Sequence, residues 1–215
     1  MNSIERKWLV WRHRRKLAAC GKHPNLALPH FNVEGHLELG DLTHFRNNAT
    51  FRTYGDGRII IHTRSGCSWG CLFEARERIE VERYVGIAEY CHITDSLPDL
   101  AGFDGPWQDA PRITRPVVIK ERAFIGSACF IGPGVTVGES AVLTPHSVLL
   151  QSIQPYEIWG GVPARRIGHR TEGLPESVLR DSETLLTEQG VRLDRYIEQG
   201  KRRGWRKLLQ KLSGR

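Results

Sequence analysis

Residues 118–149 read VIKERAFIGSACFIGPGVTVGESAVLTPHSVL, and the rhythm of this stretch is six. Every sixth position from Ile119 is a branched aliphatic: Ile119, Ile125, Ile131, Val137, Leu143 and Leu149. Four positions after each of the first five stand Ala123, Cys129, Val135, Ala141 and Ser147, all small or medium in size. A period of six matches neither an α-helix, at about 3.6, nor a strand that alternates every second residue. It matches a coil that turns a corner after each hexapeptide. Three hexapeptides then close one triangular turn, and stacked turns bury the aliphatic and small residues in ladders. Gly126, Gly132 and Gly138, each directly after an aliphatic, are expected to allow the tight corners. An antiparallel sandwich would show longer alternating runs between more widely spaced turn signals.

The same rhythm continues upstream. Val33, Leu39, Phe45 and Phe51 are spaced by six, with Leu37, Thr43 and Ala49 at the small positions. Val81, Ile87 and Ile93 form another series, with Val85 and Cys91 between them. The phase shifts near Gly55–Gly57 and between Phe73 and Glu80, where irregular corners are expected. The longest break, residues 95–116, contains Pro98, Gly102, Gly105, Pro106, Trp107 and Pro111, and reads as a loop that leaves the coil and returns.

The chain has 215 residues, 40% hydrophobic and 26% charged, which suffices for one sizeable core and is not a disordered composition. Neither a long apolar run nor a signal-peptide pattern follows Met1, so a cytoplasmic protein is expected. Five cysteines (Cys20, Cys67, Cys71, Cys91 and Cys129) make neither a disulfide framework nor a paired zinc motif, and are expected to be reduced thiols used as small hydrophobes.

The net charge of +7 is concentrated at the ends: residues 1–22 carry +6, residues 201–215 carry +7, and the middle is net acidic. Trp8 and Trp11 sit among the basic residues of the amino-terminal segment. Near the carboxyl terminus Trp205, Leu208, Leu209 and Leu212 fall on one helical face beside Arg202, Arg203, Arg206, Lys207 and Lys211. Basic amphipathic helices of this kind suit the surface of anionic lipid, and equally suit packing on the coil with their charges solvated. The first reading expects peripheral association with the inner face of the membrane. No recognisable nucleic-acid-binding fold surrounds the basic residues, so nucleic acid is not an expected partner.

Residues 31–168, and most strongly 116–168, resemble the hexapeptide-repeat acyltransferases. The segment Gly161, Val162, Pro163, Ala164, Arg165 matches that family's end signature. The loop after an Ile-Thr-Asp corner, here Ile93–Asp95, is most similar to the maltose, galactoside and polysaccharide O-acetyltransferases. The resemblance implies a mainly β fold, a left-handed parallel β-helix that is an exception to the usual right-handed crossover; the amphipathic patterns of the ends add α-helical extensions on both sides. The expected organisation is a basic helical segment at 1–30, the β-helix at 31–170 with its loop at 95–116, and a basic helical extension at 171–215.

The resemblance also implies a homotrimer that binds acetyl-CoA or another acyl-CoA in the groove between subunits. The acyl group passes directly to a hydroxyl of a saccharide or glycolipid, or to the amine of an amino sugar, and no metal is expected. Such transfer needs a general base. In relatives it is a loop His five residues after the inward aliphatic of the corner; here that position is Pro98, and no His lies between Ile93 and Arg115. Two histidines remain as candidates. His92 precedes the inward Ile93 and so points outward, and His146 sits at a corner before Ser147 in a stretch that resembles the family's pantetheine lining. Each could equally make a structural hydrogen bond. Asp95 could orient a base or bind the acceptor, or bond its own turn.

Ser147, Trp159, Gly161, Ala164, Arg165 and Arg166 are the expected cofactor-binding set, with the arginines facing nucleotide phosphates and Trp159 either covering adenine or capping the core. In the loop, Asp104, Trp107 and Asp109 would suit a sugar, or a contact between subunits. The competing class is a non-catalytic hexapeptide-repeat scaffold in which loss of the loop His records loss of chemistry. A γ-type carbonic anhydrase would need three histidine ligands for its metal, and no such trio is evident along the coils.

Overall fold

The computed structural model describes residues 17–22, 24–26, 31–170 and 172. They form a three-sided parallel β-helix. The first ladder stacks Ala19–Cys20, His36–Leu39, Arg58–Ile61, Arg78–Val81, Val117–Ile119 and Thr136–Val137. The second runs from Asn25–Leu26 through His44–Phe45, Gly66–Cys67, Gly86–Ile87, Phe124–Ile125 and Val142–Leu143 to Glu157–Gly161. The third stacks Asn32–Glu34, Thr50–Thr53, Leu72–Ala75, His92–Thr94, Phe130–Ile131 and Val148–Leu149. Within these ladders every pairing between successive coils is parallel, as in Ile93 beside Phe73 on one side and Ile131 on the other.

The core is the period-six ladder itself. Ile119, Ile125, Ile131, Val137, Leu143 and Leu149 are all buried, as are Ala123, Cys129, Val135, Ala141 and Ser147. Upstream, Phe31, Phe45, Phe51 and Phe73 join in a stack whose closest pair, Phe51 and Phe73, have ring centroids 4.8 Å apart. Such stacking adds to the burial of each ring.

The corners differ from expectation in one respect. Arg122, Ala128, Gly134, Ser140 and His146, again six apart, carry the left-handed backbone conformation, and only one of them is glycine. An L-residue there costs about 1 kcal/mol. The cost is offset because each corner N–H reaches a carbonyl of the neighbouring coil, such as Arg122 to Arg83 and His146 to Ser127. The glycines serve close approach instead. A Cβ at Gly126 would stand 2.5 Å from the Pro145 nitrogen, and one at Gly138 2.4 Å from the Pro155 nitrogen.

Two further differences bear on the site. The break at 95–116 is an ordered arm: Ser96–Pro98 pairs antiparallel with Arg112–Thr114, and a short 3-10 turn, Trp107–Asp109, lies near its tip. In the amino-terminal segment, where a helix was expected, residues 19–20 and 25–26 are strands that extend the first two ladders. The carbonyls of Leu37 and Leu39 supply the reason, accepting from Ala18 and Gly21. Of the expected basic helical segments, residues 1–16, 23, 27–30, 171 and 173–215 lie outside the described residues.

The cysteines are free, and four of the five are buried. Cys71, Cys91 and Cys129 stack in one column and donate to the carbonyls of Ala88, Gly126 and Thr144 at 3.0, 3.1 and 3.1 Å. The adjacent Cys67 thiol, with burial, pushes Cys71 up to about 12. Cys91 also rises to about 12, because the Cys71 thiol and burial outweigh the downward pull of Cys129. The Cys91 thiol and burial push Cys129 up as well. Thiolate is the reactive form, so these groups are almost wholly unreactive at pH 8. Iodoacetamide labelling read by mass spectrometry is expected to modify the half-buried Cys20 in the native protein, and the other four only after denaturation. Prompt native labelling of Cys71, Cys91 or Cys129 would contradict this packing.

Candidate functional site

His92 opens the strand His92–Thr94 on the third ladder. Because Ile93 is buried, strand alternation turns His92 outward, where its side chain is 38% exposed. It lies in register between Leu72 and Phe130, with its ring edge-on to Phe130 at a centroid distance of 5.4 Å. Its Nε2 stands 3.0 Å from Glu74 Oε2. A carboxylate only accepts, so Nε2 carries the hydrogen and Nδ1 retains a lone pair. That is the arrangement a general base requires: one nitrogen oriented by a partner, the other available to take a proton.

Glu74 is in turn held by its neighbours. The Tyr54 hydroxyl donates to Oε1 at 3.1 Å, and Arg52 Nη1 lies 3.9 Å away. Burial, the Glu74 charge and this hydrogen bond all push the Tyr54 phenol up, so it stays a donor at neutral pH. The Arg76 guanidinium lies over the Tyr54 ring, 4.7 Å from its centroid. Arg52, Glu74 and Thr94 are register partners on successive coils of the third ladder, which is why residues about twenty apart in sequence meet. Glu74, Tyr54, Arg76 and Trp107 line a cavity of about 360 Å³, completed by Thr94, Ser96 and Arg112.

The expected loop residues divide. Trp107 lines this cavity, whereas Asp104 and Asp109 are exposed on the arm and do not. Asp95 requires a correction from candidate catalytic group to structural anchor. It is fully buried, with Oδ1 accepting from the backbone N–H of Arg76 and Oδ2 from those of Glu77 and Arg78, each at 2.8 Å. Those bonds fix the corner that carries Arg76 and commit both oxygens to the backbone. His146 is exposed at a corner two strand spacings along the axis from His92, about 10 Å. The two histidines therefore serve different places.

The expected cofactor set gathers at the last coil. The antiparallel pair Glu157–Gly161 and Ala164–His169 extends the second ladder. Ser147 is buried and corrected to an internal fastener: its hydroxyl donates to the Thr144 carbonyl at 2.6 Å and accepts from Gly161 N–H at 3.1 Å. Ala164 is likewise buried in the core, so its side chain is not open to a ligand. Trp159 packs on the core from a half-buried position and donates its indole N–H to Glu157 Oε2 at 2.8 Å. Arg166 Nε meets Glu157 Oε1 at 3.0 Å. Burial pushes the Glu157 carboxyl up, but the Gln154 N–H, the Trp159 indole and Arg166 together hold it below the usual carboxylate range. Both arginines are exposed; Arg165 bonds its Nη1 to the Ala164 carbonyl rather than to Glu157.

Glu74, Tyr54, Arg76 and Arg112 were not anticipated from the sequence. The available signal was that Glu74 follows the inward Phe73 as His92 precedes the inward Ile93, which puts both on the outer surface of one ladder.

No family model matches the chain. Individual proteins do. A chloramphenicol acetyltransferase of Agrobacterium fabrum is 42% identical over 71 residues, 33% of this chain and 31% of that protein. The galactoside O-acetyltransferase of Escherichia coli K12 is 38% identical over 52 residues, 24% of this chain and 26% of that protein. Among solved structures, AntD, an N-acyltransferase from Bacillus cereus, in complex with dTDP and 3-hydroxybutyryl-CoA, has a TM-score of 0.68 at 18% identity. The match covers 84% of this chain and 96% of that one, and shows a shared fold. The chain therefore matches well under half the length of these curated relatives. The hexapeptide ladder and the solenoid together define a hexapeptide-repeat parallel β-helix, and these matches show that the chain is similar to acetyltransferases and N-acyltransferases over the stretches given.

Proposed function

We propose that the protein transfers an acyl group, acetyl in the simplest case, from coenzyme A to a hydroxyl or amine of a saccharide. The observation that carries this reading is the His92–Glu74 pair set beside a cavity with an aromatic wall. In the proposed step, Nδ1 of His92 takes the proton from the acceptor as its lone pair attacks the thioester carbonyl carbon. The tetrahedral intermediate then expels the sulfur, and the CoA thiolate leaves with the proton that His92 releases. Glu74 stabilises the imidazolium formed between the two proton transfers. The acyl-CoA is proposed to lie in a groove between subunits of a homotrimer, with its phosphates on Arg165 rather than on Arg166, which Glu157 already holds.

The test is incubation with acetyl-CoA and a panel of sugars and amino sugars, with free thiol as the readout. Acceptor-dependent thiol release is expected. Absence of turnover together with absence of CoA binding would overturn the reading and favour the scaffold, which the Pro98 substitution at the family's His position would then explain.

A further inference from the structure

The cavity beside Glu74 carries two guanidinium groups, Arg76 and Arg112, against one carboxylate. That carboxylate is Glu74 itself, already engaged by Tyr54 and His92. Among the described residues neither arginine has an acidic side chain within ion-pair distance; the pairs run through Arg52, Arg78, Arg83, Lys120, Arg122 and Arg166 instead. The contrast with a second concave surface, about 280 Å³ and lined by His62, Glu80, Glu82, Arg83 and Glu121, is plain. There Glu80 meets His62 and Arg78, Glu82 meets Lys120, and Glu121 meets Arg83, so the charges are matched within the protein.

Both unmatched guanidinium groups are nevertheless held in place. Arg112 donates from Nε to Ser96 Oγ at 2.8 Å and from Nη2 to the Ser96 carbonyl at 3.2 Å, which leaves the N–H groups of Nη1 uncommitted. Arg76 is fixed by its stack on Tyr54 and by a backbone N–H anchored on Asp95, so its N–H edge is open. One arginine comes from the arm and the other from the coil, and Trp107, 61% exposed, faces the same space. Two like charges in one concavity repel each other, and an anion between them removes that repulsion while gaining charge-assisted bonds.

We infer that the acceptor is an anionic saccharide: Trp107 covers the CH face of a sugar ring, and Arg76 and Arg112 hold its phosphate or carboxylate substituent. This rests on the acyltransferase reading above and adds the acceptor's charge to it. Guanidinium forks match both anions, so the test separates them.

The experiment compares glucosamine, glucosamine 6-phosphate and glucuronic acid as acceptors at low and high salt, with inorganic phosphate as competitor. At least one anionic acceptor is expected to exceed the neutral one in kcat/KM by about tenfold or more, mainly through KM, and the advantage shrinks with salt. The arm that shows the advantage identifies the anion. Arg112→Gln and Arg76→Gln, each confirmed folded by thermal unfolding, are expected to bring the anionic-to-neutral ratio close to one. Equal kcat/KM for all three acceptors would overturn the inference while leaving the acyltransferase reading intact. If no acceptor releases thiol, calorimetric titration decides it separately: saturable binding of glucosamine 6-phosphate or glucuronic acid that is lost in Arg112→Gln supports the anion site, and no binding overturns it.

Discussion

His92→Ala is expected to lower kcat for thiol release by about two to four orders of magnitude, the range spanned by a positioned general base. The side chain is partly exposed and outside the core, so thermal unfolding of the variant should stay close to wild type and separate lost chemistry from lost fold. Glu74→Gln keeps an oxygen that can accept from Nε2 but removes the negative charge that favours imidazolium. The expected loss is smaller, about tenfold, and lies in kcat. His146→Ala, some 10 Å along the axis by strand spacing, is the control and should leave the chemical step nearly unchanged. Near-normal kcat in His92→Ala would remove His92 as the base, and a collapse in His146→Ala instead would move the chemistry to the last coils.

Asp95→Ala should act on stability first. Three backbone N–H groups, those of Arg76, Glu77 and Arg78, lose their only named acceptor at once. An unmade bond of this kind costs about 1–3 kcal/mol, and partial access of water to the exposed corner reduces the sum, so a loss of about 3–5 kcal/mol is expected in urea unfolding. Asp95→Asn retains one acceptor oxygen and turns an NH2 towards N–H groups, so it should fall between wild type and Asp95→Ala. A change below about 1 kcal/mol for Asp95→Ala would show that the corner does not depend on this carboxylate. The corner carries Arg76 into the cavity, so surviving activity in either variant should show a raised KM for the acceptor.

The six-residue pattern was legible because it is local. Each hexapeptide specifies its own inward aliphatic and small residue, and the coil repeats that instruction from Ile119 to Leu149 without needing distant contacts. The outward face was less legible. Asp95 was visible as a corner residue, but its three N–H partners lie seventeen to nineteen positions earlier in the chain. Ser147 read as a lining residue because of where it falls in the repeat, while its hydroxyl is used up inside the last coil.

Side-chain alternation and repeat period are properties of neighbouring residues, so the β-helix, its buried ladders, the break after Ile93–Asp95 and the outward placement of His92 could be read from the chain alone. Which outward residues stand side by side was settled by the stacking of the coils. Insertions around residues 55–57 and 73–80 make the coils unequal, so the register partners Arg52, Glu74 and Thr94 stand 22 and 20 residues apart, neither a multiple of six. The stacking of one coil on the next, set by backbone hydrogen bonds between them, turns a lone histidine into a base with a partner and two distant arginines into one charged cavity.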